Sequence, residues 1–337
     1  MANVRSTLRV LKGLARNAVV VGRRRFGGQR GPASWSFSFE VAVEYLRRDV
    51  GHRGALTHPE YRRKLEAIQL PDPALRAVVV SEAVIGGCRV EILRPKAAAA
   101  ERTILYFHGG SYHHGSALTH RPLTTRLARQ ATAQVIVVDY RLAPEDPFPA
   151  AFDDAMAVYR GLIEEAWAEP ASLVLAGDSA GGGLTGALLL ALRSRGLEAP
   201  AGAVMICPWV DLAAHGGSMI RNAAFDWIES TSIEGLARSY VGNASLEDPL
   251  VSPIYGIADG DPQALPPILV QVGSLEIFVD QVHEFVARAR AAGVQIEFRL
   301  WDEMVHNWHL LANLDRRGAA AIEEIAEFAT RVTAQSR

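Results

Sequence analysis

Leu173-Val174-Leu175-Ala176-Gly177-Asp178-Ser179-Ala180-Gly181-Gly182-Gly183 is the stretch on which the reading of this chain turns. Leu173–Ala176 is an apolar run with no alternation, the pattern of a strand buried on both faces. Gly-x-Ser-x-Gly follows directly, and an Ala/Leu-rich helical pattern comes after it. A sharp strand-to-helix turn lifts a serine hydroxyl clear of the sheet. Such a turn asks for positive φ and close backbone approach, so small residues are expected at 177 and 181. The helix that follows aims its first N–H groups at developing negative charge. Ser179 is therefore the candidate nucleophile. A glycine-rich turn that merely contains serine has the same five letters, and the strand and helix on either side separate the two cases.

Working outward, the same rhythm repeats. Ala77–Val80 and Arg89–Leu93 flank Gly86-Gly87 and read as a hairpin. Thr103–Phe107, Gln134–Asp139, Ala203–Cys207, Ile268–Val272 and Ile296–Leu300 are further short apolar runs. Helical patterns near 119–131, 150–166, 181–195, 280–292 and 317–334 separate them. Strands alternating with helices predict an α/β fold with a mostly parallel, doubly wound sheet led by an antiparallel pair. Two segments break the rhythm. Residues 1–75 read as helical, with amphipathic stretches at Phe37–Arg48 and Pro59–Ile68, and 209–245 is far longer than an ordinary strand-to-helix loop. The two segments are expected to pack together as a helical cap over a catalytic domain of residues 76–208 and 246–337.

Composition narrows the class. The chain has 337 residues, 49% of them hydrophobic, with 35 basic against 37 acidic side chains. That balance excludes disorder, and nothing in it favours nucleic acid. Two cysteines, Cys88 and Cys207, exclude a disulfide-stapled scaffold. The N-terminus departs from the average: Arg5, Arg9, Lys12, Arg16, Arg23, Arg24, Arg25 and Arg30 precede the first acid, Glu40. With Leu8, Leu11, Ala15 and Val19 at helical spacing, this segment reads either as a weak contact for an anionic membrane surface or as a helix packed on the cap with a solvated basic face. No stretch is long enough to span a bilayer, and a cytoplasmic location is the expectation.

Tyr106-Phe107-His108-Gly109-Gly110-Ser111-Tyr112 follows a strand. Consecutive glycines there let the backbone fold under a substrate carbonyl, so Gly109 and Gly110 are expected to donate N–H groups to an oxyanion, with Ala180 as the third donor. His108, His113, His114 and His120 sit on or near this glycine-hinged loop without the carboxylate or cysteine that a metal site wants, so no metal is expected. His108 reads as a brace, and His113 or His114 as pocket lining.

The chain resembles the hormone-sensitive-lipase-like family of α/β-hydrolases, the bacterial family IV esterases. HGGSY at 108–112, DYRLAPEDPFPAAFDD at 139–154 and GDSAGG at 177–182 carry the resemblance, with DPLVSPIYG at 248–256, VGSLEIFVDQ at 272–281 and MVHNWH at 304–309 in the same order. The resemblance implies an eight-stranded sheet and a cofactor-independent serine carboxylesterase acting through an acyl-enzyme on short- to medium-chain esters. Deacetylation, amide hydrolysis or acyl transfer would use the same residues. A non-catalytic binder is a further alternative, because plant gibberellin receptors resemble the family but have lost its catalytic histidine. The family usually has a third glycine where this chain has Ser111, which implies slower turnover or an altered acyl preference.

A serine needs a histidine base, and the imidazole needs an orienting carboxylate. The fold's order is serine, acid, histidine. His306 follows the Ile296–Leu300 strand by a short loop; His309 is its rival, and the family motif selects His306. Register places Glu276 at the acid position, with Asp280 as the alternative. The resemblance also implies an ion-pair network of Asp139, Arg141 and Glu145 behind the oxyanion loop, and a brace at Asp178. It further implies a homodimer through an edge strand or a helix near the C-terminus. Ser111, Tyr112, His113, Phe225 and Trp227 are candidate substrate contacts, and Trp209 and Tyr240 would complete an aromatic pocket or an ordinary cap core.

Overall fold

The chain's apolar runs become β1 (Val78–Ile85), β2 (Cys88–Pro95), β3 (Arg102–Phe107), β4 (Ala133–Val138), β5 (Leu173–Asp178), β6 (Gly202–Ile206), β7 (Ile268–Gly273) and β8 (Ile296–Trp301). They form one eight-stranded sheet in the order β1-β2-β4-β3-β5-β6-β7-β8. β1 and β2 form the antiparallel hairpin, β2 also runs antiparallel to β4, and every later pairing is parallel. The computed structural model describes residues 4–69, 72–214 and 216–335.

The helices are α1 (Val4–Phe26), α2 (Phe37–Tyr45), α3 (His58–Glu66), α4 (Ala117–Gln130), α5 (Ala150–Glu164), α6 (Ala180–Ser194), α7 (Ser218–Arg221), α8 (Ser230–Val241), α9 (Val279–Ala291) and α10 (Arg316–Gln335). The helix expected over 37–48 stops at Tyr45 and widens into a π-helical turn, Leu46–Val50.

Both faces of the sheet are buried, which explains the missing alternation in the central strands. Successive β3 side chains show it: Leu105 and Phe107 enter one apolar layer with Phe152 and Leu188. Ile104 and Tyr106 enter the other with Leu123 and Phe328. Burial on both sides fixes where each strand ends, and therefore where the loops beyond β3, β5, β7 and β8 can place polar groups.

The N-terminal segment meets the 209–245 insertion through named contacts. Arg47 donates to the carbonyls of Ala224 (2.8 Å), Phe225 (2.7 Å) and Asp226 (3.1 Å), and His52 lies 3.0 Å from Glu229. Both segments wall the cavity into which Ser179 opens. Among the described residues no helix is long and apolar enough to cross a membrane.

Candidate active site

Ser179 is the residue between β5 and α6, at φ +54° and ψ −120°. Its own amide donates to Ile206 O at 2.8 Å, and its carbonyl accepts from Trp209 N at 2.9 Å. These bonds hold a strained backbone in place. Positive φ was expected of the flanking glycines, and the structure puts it on the serine instead. The glycines serve close approach: a Cβ on Gly181 would overlap Phe107 O, and one on Gly177 would overlap Gly181 O.

Asp178 is fully buried and ties three loops together. It accepts from Tyr106 OH (2.7 Å), Gly109 N (2.9 Å), Asn307 Nδ2 (2.6 Å) and His120 Nε2 (3.3 Å). Burial would raise its pKa, but His120 and these donors outweigh burial and hold it at about 2. His120 is raised in turn: burial opposes its charge, and Asp178 overrides that. Each partner thus favours the charged form of the other.

This brace corrects one expected oxyanion donor. Gly109 N is committed to Asp178, so its N–H is not free for a ligand. Among the described residues the N–H groups of Gly110, Ser111 and Ala180 have no acceptor. Gly110 (φ +128°), Ser111 (φ +54°) and Tyr112 (φ +62°) form a left-handed run, which explains why glycine suits position 111 and why serine there is strained. His108 stacks on Tyr140 with ring centroids 4.3 Å apart and bonds Gly109 O, bracing the loop from below. His113 lines the cavity; its Nδ1 donates to Ser111 O at 2.7 Å, which leaves Nε2 to accept from Ser239 at 3.0 Å. Burial takes His113 down to about 4 and His108 and His114 to about 3, so all three are neutral.

Glu276 and His306 are brought together, both buried, with Nδ1 to Oε2 at 3.3 Å. Nε2 has no hydrogen-bond partner among the described residues, and His306 and Ser179 line the same cavity. Burial would depress His306, but Glu276, Asp226 and Asp178 together raise it. Asp280 lies elsewhere: its carboxylate accepts from Ser218 N and Arg221, both at 2.7 Å. His309 is in the core, 2.8 Å from Gln271 Oε1 and lowered to about 3 by burial.

Several sequence expectations are corrected. Tyr112 is buried away from the cavity, stacked on Tyr240 at 3.7 Å, and Trp209 stacks on Phe278 at 5.6 Å. These aromatics join the apolar layer that Leu105, Phe107 and Phe152 enter on one face of the sheet. Phe225 is 38% exposed and does not line the cavity, whereas Trp227 does. The network of Asp139, Arg141 and Glu145 does not form. Arg141 pairs with Asp154 (2.7 Å), Glu145 with Arg62 (2.7 Å), and Asp139 accepts from Ala117 N (2.8 Å). Each of the three residues that the resemblance grouped has a different partner.

Asp226 was missed. It comes from the insertion, is fully buried, and accepts from Ile277 N (2.8 Å), Trp227 N (2.8 Å) and His306 N (3.2 Å). Burial pushes it up to about 6. Trp227 adds a bond from its indole N–H to His306 O at 2.6 Å. The 209–245 insertion thus grips the backbones beside Glu276 and at His306. The one sequence signal was a lone acid within Ala223-Ala224-Phe225-Asp226-Trp227-Ile228. Arg62, also missed, ties α3 to His113 O and Ala143 O, each at 2.7 Å.

Cys207 Sγ, Glu276 and His306 offer ligand atoms within 4.8 Å of one another. Burial and Glu276 push the thiol's pKa well up, and Glu276 is already bonded to His306 Nδ1. A protonated thiol is a poor ligand, so the donor set fits a hydrogen-bonded dyad better than a metal. The cavity holds about 500 Å³ and reaches from Ser179 to Leu14, Leu65 and Leu314.

Residues 104–310 match the family described as the alpha/beta hydrolase fold. Over 252 residues the chain is 42% identical to an acetyl-hydrolase of Streptomyces hygroscopicus, spanning 74% of this chain and 82% of that protein. An esterase of Acinetobacter venetianus is 36% identical over 248 residues, 73% of this chain and 80% of that one. A solved esterase of the bacterial hormone-sensitive lipase family superposes with TM-score 0.78 at 33% identity, covering 99% of this chain and all (100%) of that one. This chain belongs to the hormone-sensitive-lipase-like family of α/β-hydrolases. An esterase/lipase from an uncultured bacterium is similar at TM-score 0.80 and 34% identity, over 87% of this family member and 97% of that chain.

Proposed function

We propose that this hydrolase cleaves carboxylic esters through an acyl-enzyme, with Ser179 as nucleophile, His306 as general base and acid, and Glu276 as its orienting carboxylate. The observation that supports this most is the buried Glu276–His306 contact, which fixes Nδ1 and leaves Nε2 unpartnered in the cavity that Ser179 lines. In the first step Nε2 takes the Ser179 proton as Oγ attacks the ester carbonyl, and the tetrahedral oxyanion meets the free N–H groups of Gly110, Ser111 and Ala180. Each such donor is worth about 3 kcal/mol in the transition state. The imidazolium then gives its proton to the leaving alcohol, and water, activated by the same histidine, releases the acid. The negative groups around His306 favour the imidazolium that forms in both steps.

The substrate is a small ester with a short- to medium-chain acyl group. The acetyl-hydrolase relative supports acetyl as one such group. A homodimer would use the edge strand β8, where Leu300 is half-exposed. The test is hydrolysis of p-nitrophenyl esters from acetyl to palmitoyl by wild type and Ser179→Ala. The expected result is a peak at short chains and a loss of about 10⁴-fold or more in kcat in the variant. Undiminished turnover by Ser179→Ala rejects the mechanism, and a light-scattering mass of one chain rejects the dimer.

A further inference from the structure

α1 is held to the cap by one face and leaves another face uncovered. Val10, Asn17 and Val21 are buried, Asn17 Nδ2 donates to Asp49 at 2.8 Å, Arg24 pairs with Glu44 at 2.8 Å and Arg25 with Glu40 at 2.7 Å. On the outer face Leu8 is 51% exposed, Leu11 50%, Val19 55% and Phe26 97%. At 100° per residue these four and Ala15 fall within an arc of roughly 80°, so they form one apolar stripe along the helix. Arg9, Lys12 and Arg23 are exposed beside the stripe, and among the described residues they have no ion-pair partner. The sequence of α1 contains no acidic residue.

We propose that α1 docks this enzyme on an anionic lipid surface. An apolar stripe bordered by cations matches the boundary between acyl chains and acidic headgroups. A second copy of α1 is the poorer fit, because pairing two such helices sets cations against cations with no acid on either to answer them. The placement has a consequence for substrate. Val10 and Leu14 of the same helix line the active-site cavity, so a helix lying on lipid puts the cavity wall at the surface from which an acyl ester would enter. This consequence rests on the esterase reading; the docking itself does not.

The test is co-sedimentation of the full chain with phosphatidylcholine vesicles, with and without phosphatidylglycerol. Binding is expected only with the anionic lipid, and it weakens as salt rises. Replacing Arg9, Lys12 and Arg23 together by glutamine weakens it about 100-fold, since each basic side chain near an anionic surface contributes roughly fivefold. Leu8→Glu with Val19→Glu abolishes it. All these positions are exposed and outside the cavity, so the melting temperature and the hydrolysis of soluble p-nitrophenyl butyrate stay unchanged, which separates a docking defect from misfolding. Absent binding, or binding indifferent to phosphatidylglycerol and salt, overturns the proposal while leaving the esterase reading intact. A dimer by light scattering that Val19→Glu dissolves overturns it too, since a second copy would then cover the stripe. Vesicle binding by a protein that hydrolyses no ester supports docking and rejects the esterase reading alone.

Discussion

Asp226→Asn separates a cap that merely covers the site from one that holds it in register. The Asp226 carboxylate accepts three backbone N–H groups, from Ile277, Trp227 and His306. Asparagine keeps one oxygen for the Trp227 and His306 amides, but turns an NH₂ towards Ile277 N. One charge-assisted bond is lost and one buried N–H is left without an acceptor, at a cost of about 2 kcal/mol. If that cost is felt where Glu276 and His306 must align, kcat/KM falls about 30-fold. The pH profile gives a second reading. Asp226 is one of the negative groups that raise His306, so removing its charge lowers the histidine's pKa. The base then stays unprotonated further into acid, and the acidic limb of kcat/KM moves to lower pH. The assay is p-nitrophenyl butyrate hydrolysis across pH, beside a thermal melt. A lowered melting temperature with kcat/KM within twofold of wild type and an unmoved acidic limb would refute the reasoning, because Asp226 would then be packing alone.

Ser111→Gly keeps the backbone N–H and relieves a residue at φ +54°, so activity on p-nitrophenyl acetate is expected within threefold of wild type or above it; a loss of about tenfold would mean the serine hydroxyl itself takes part. Trp227→Phe removes the indole bond to His306 O and reshapes the cavity wall, and should lower kcat and shift chain-length preference, whereas Phe225→Ala, outside the cavity, should change neither. Stability should fall steeply in acid. His108, His113, His114 and His309 are neutral when folded at about 3 to 4 and take up protons on unfolding below their ordinary value. Asp226, raised to about 6, releases one. Near pH 5 about three protons are therefore bound on unfolding, a loss of up to about 4 kcal/mol per pH unit that falls by roughly half at pH 6.5 and fades above pH about 7.5. A melting temperature flat between pH 7 and 5 would contradict this.

The setting of Ser179 was legible because it is local. A buried strand, a turn with no room for side chains and a helix must be adjacent in the chain, so their signature is contiguous. Glu276 and His306 were reachable because each follows a strand whose apolar run marks its end. What the sequence hid was tertiary. Which glycine N–H is free depends on Asp178, whose carboxylate takes up Gly109 and leaves the next two amides open. Asp226 reaches Ile277 and His306 from an insertion with no periodicity, across 51 and 80 residues. Tyr112 and Tyr240 look the same in sequence whether they line a pocket or stack on one another. Arg141 lies close in sequence to Glu145, but its bidentate partner is Asp154 on α5.

The most direct measurement of the central claim is covalent labelling with a fluorophosphonate, read by peptide mass spectrometry. One adduct is expected, on Ser179, formed rapidly by the wild type and slowed by at least about 10³-fold in His306→Ala, since an unassisted serine is a weak nucleophile. An adduct on another serine, or labelling of Ser179 at an undiminished rate without His306, would contradict it.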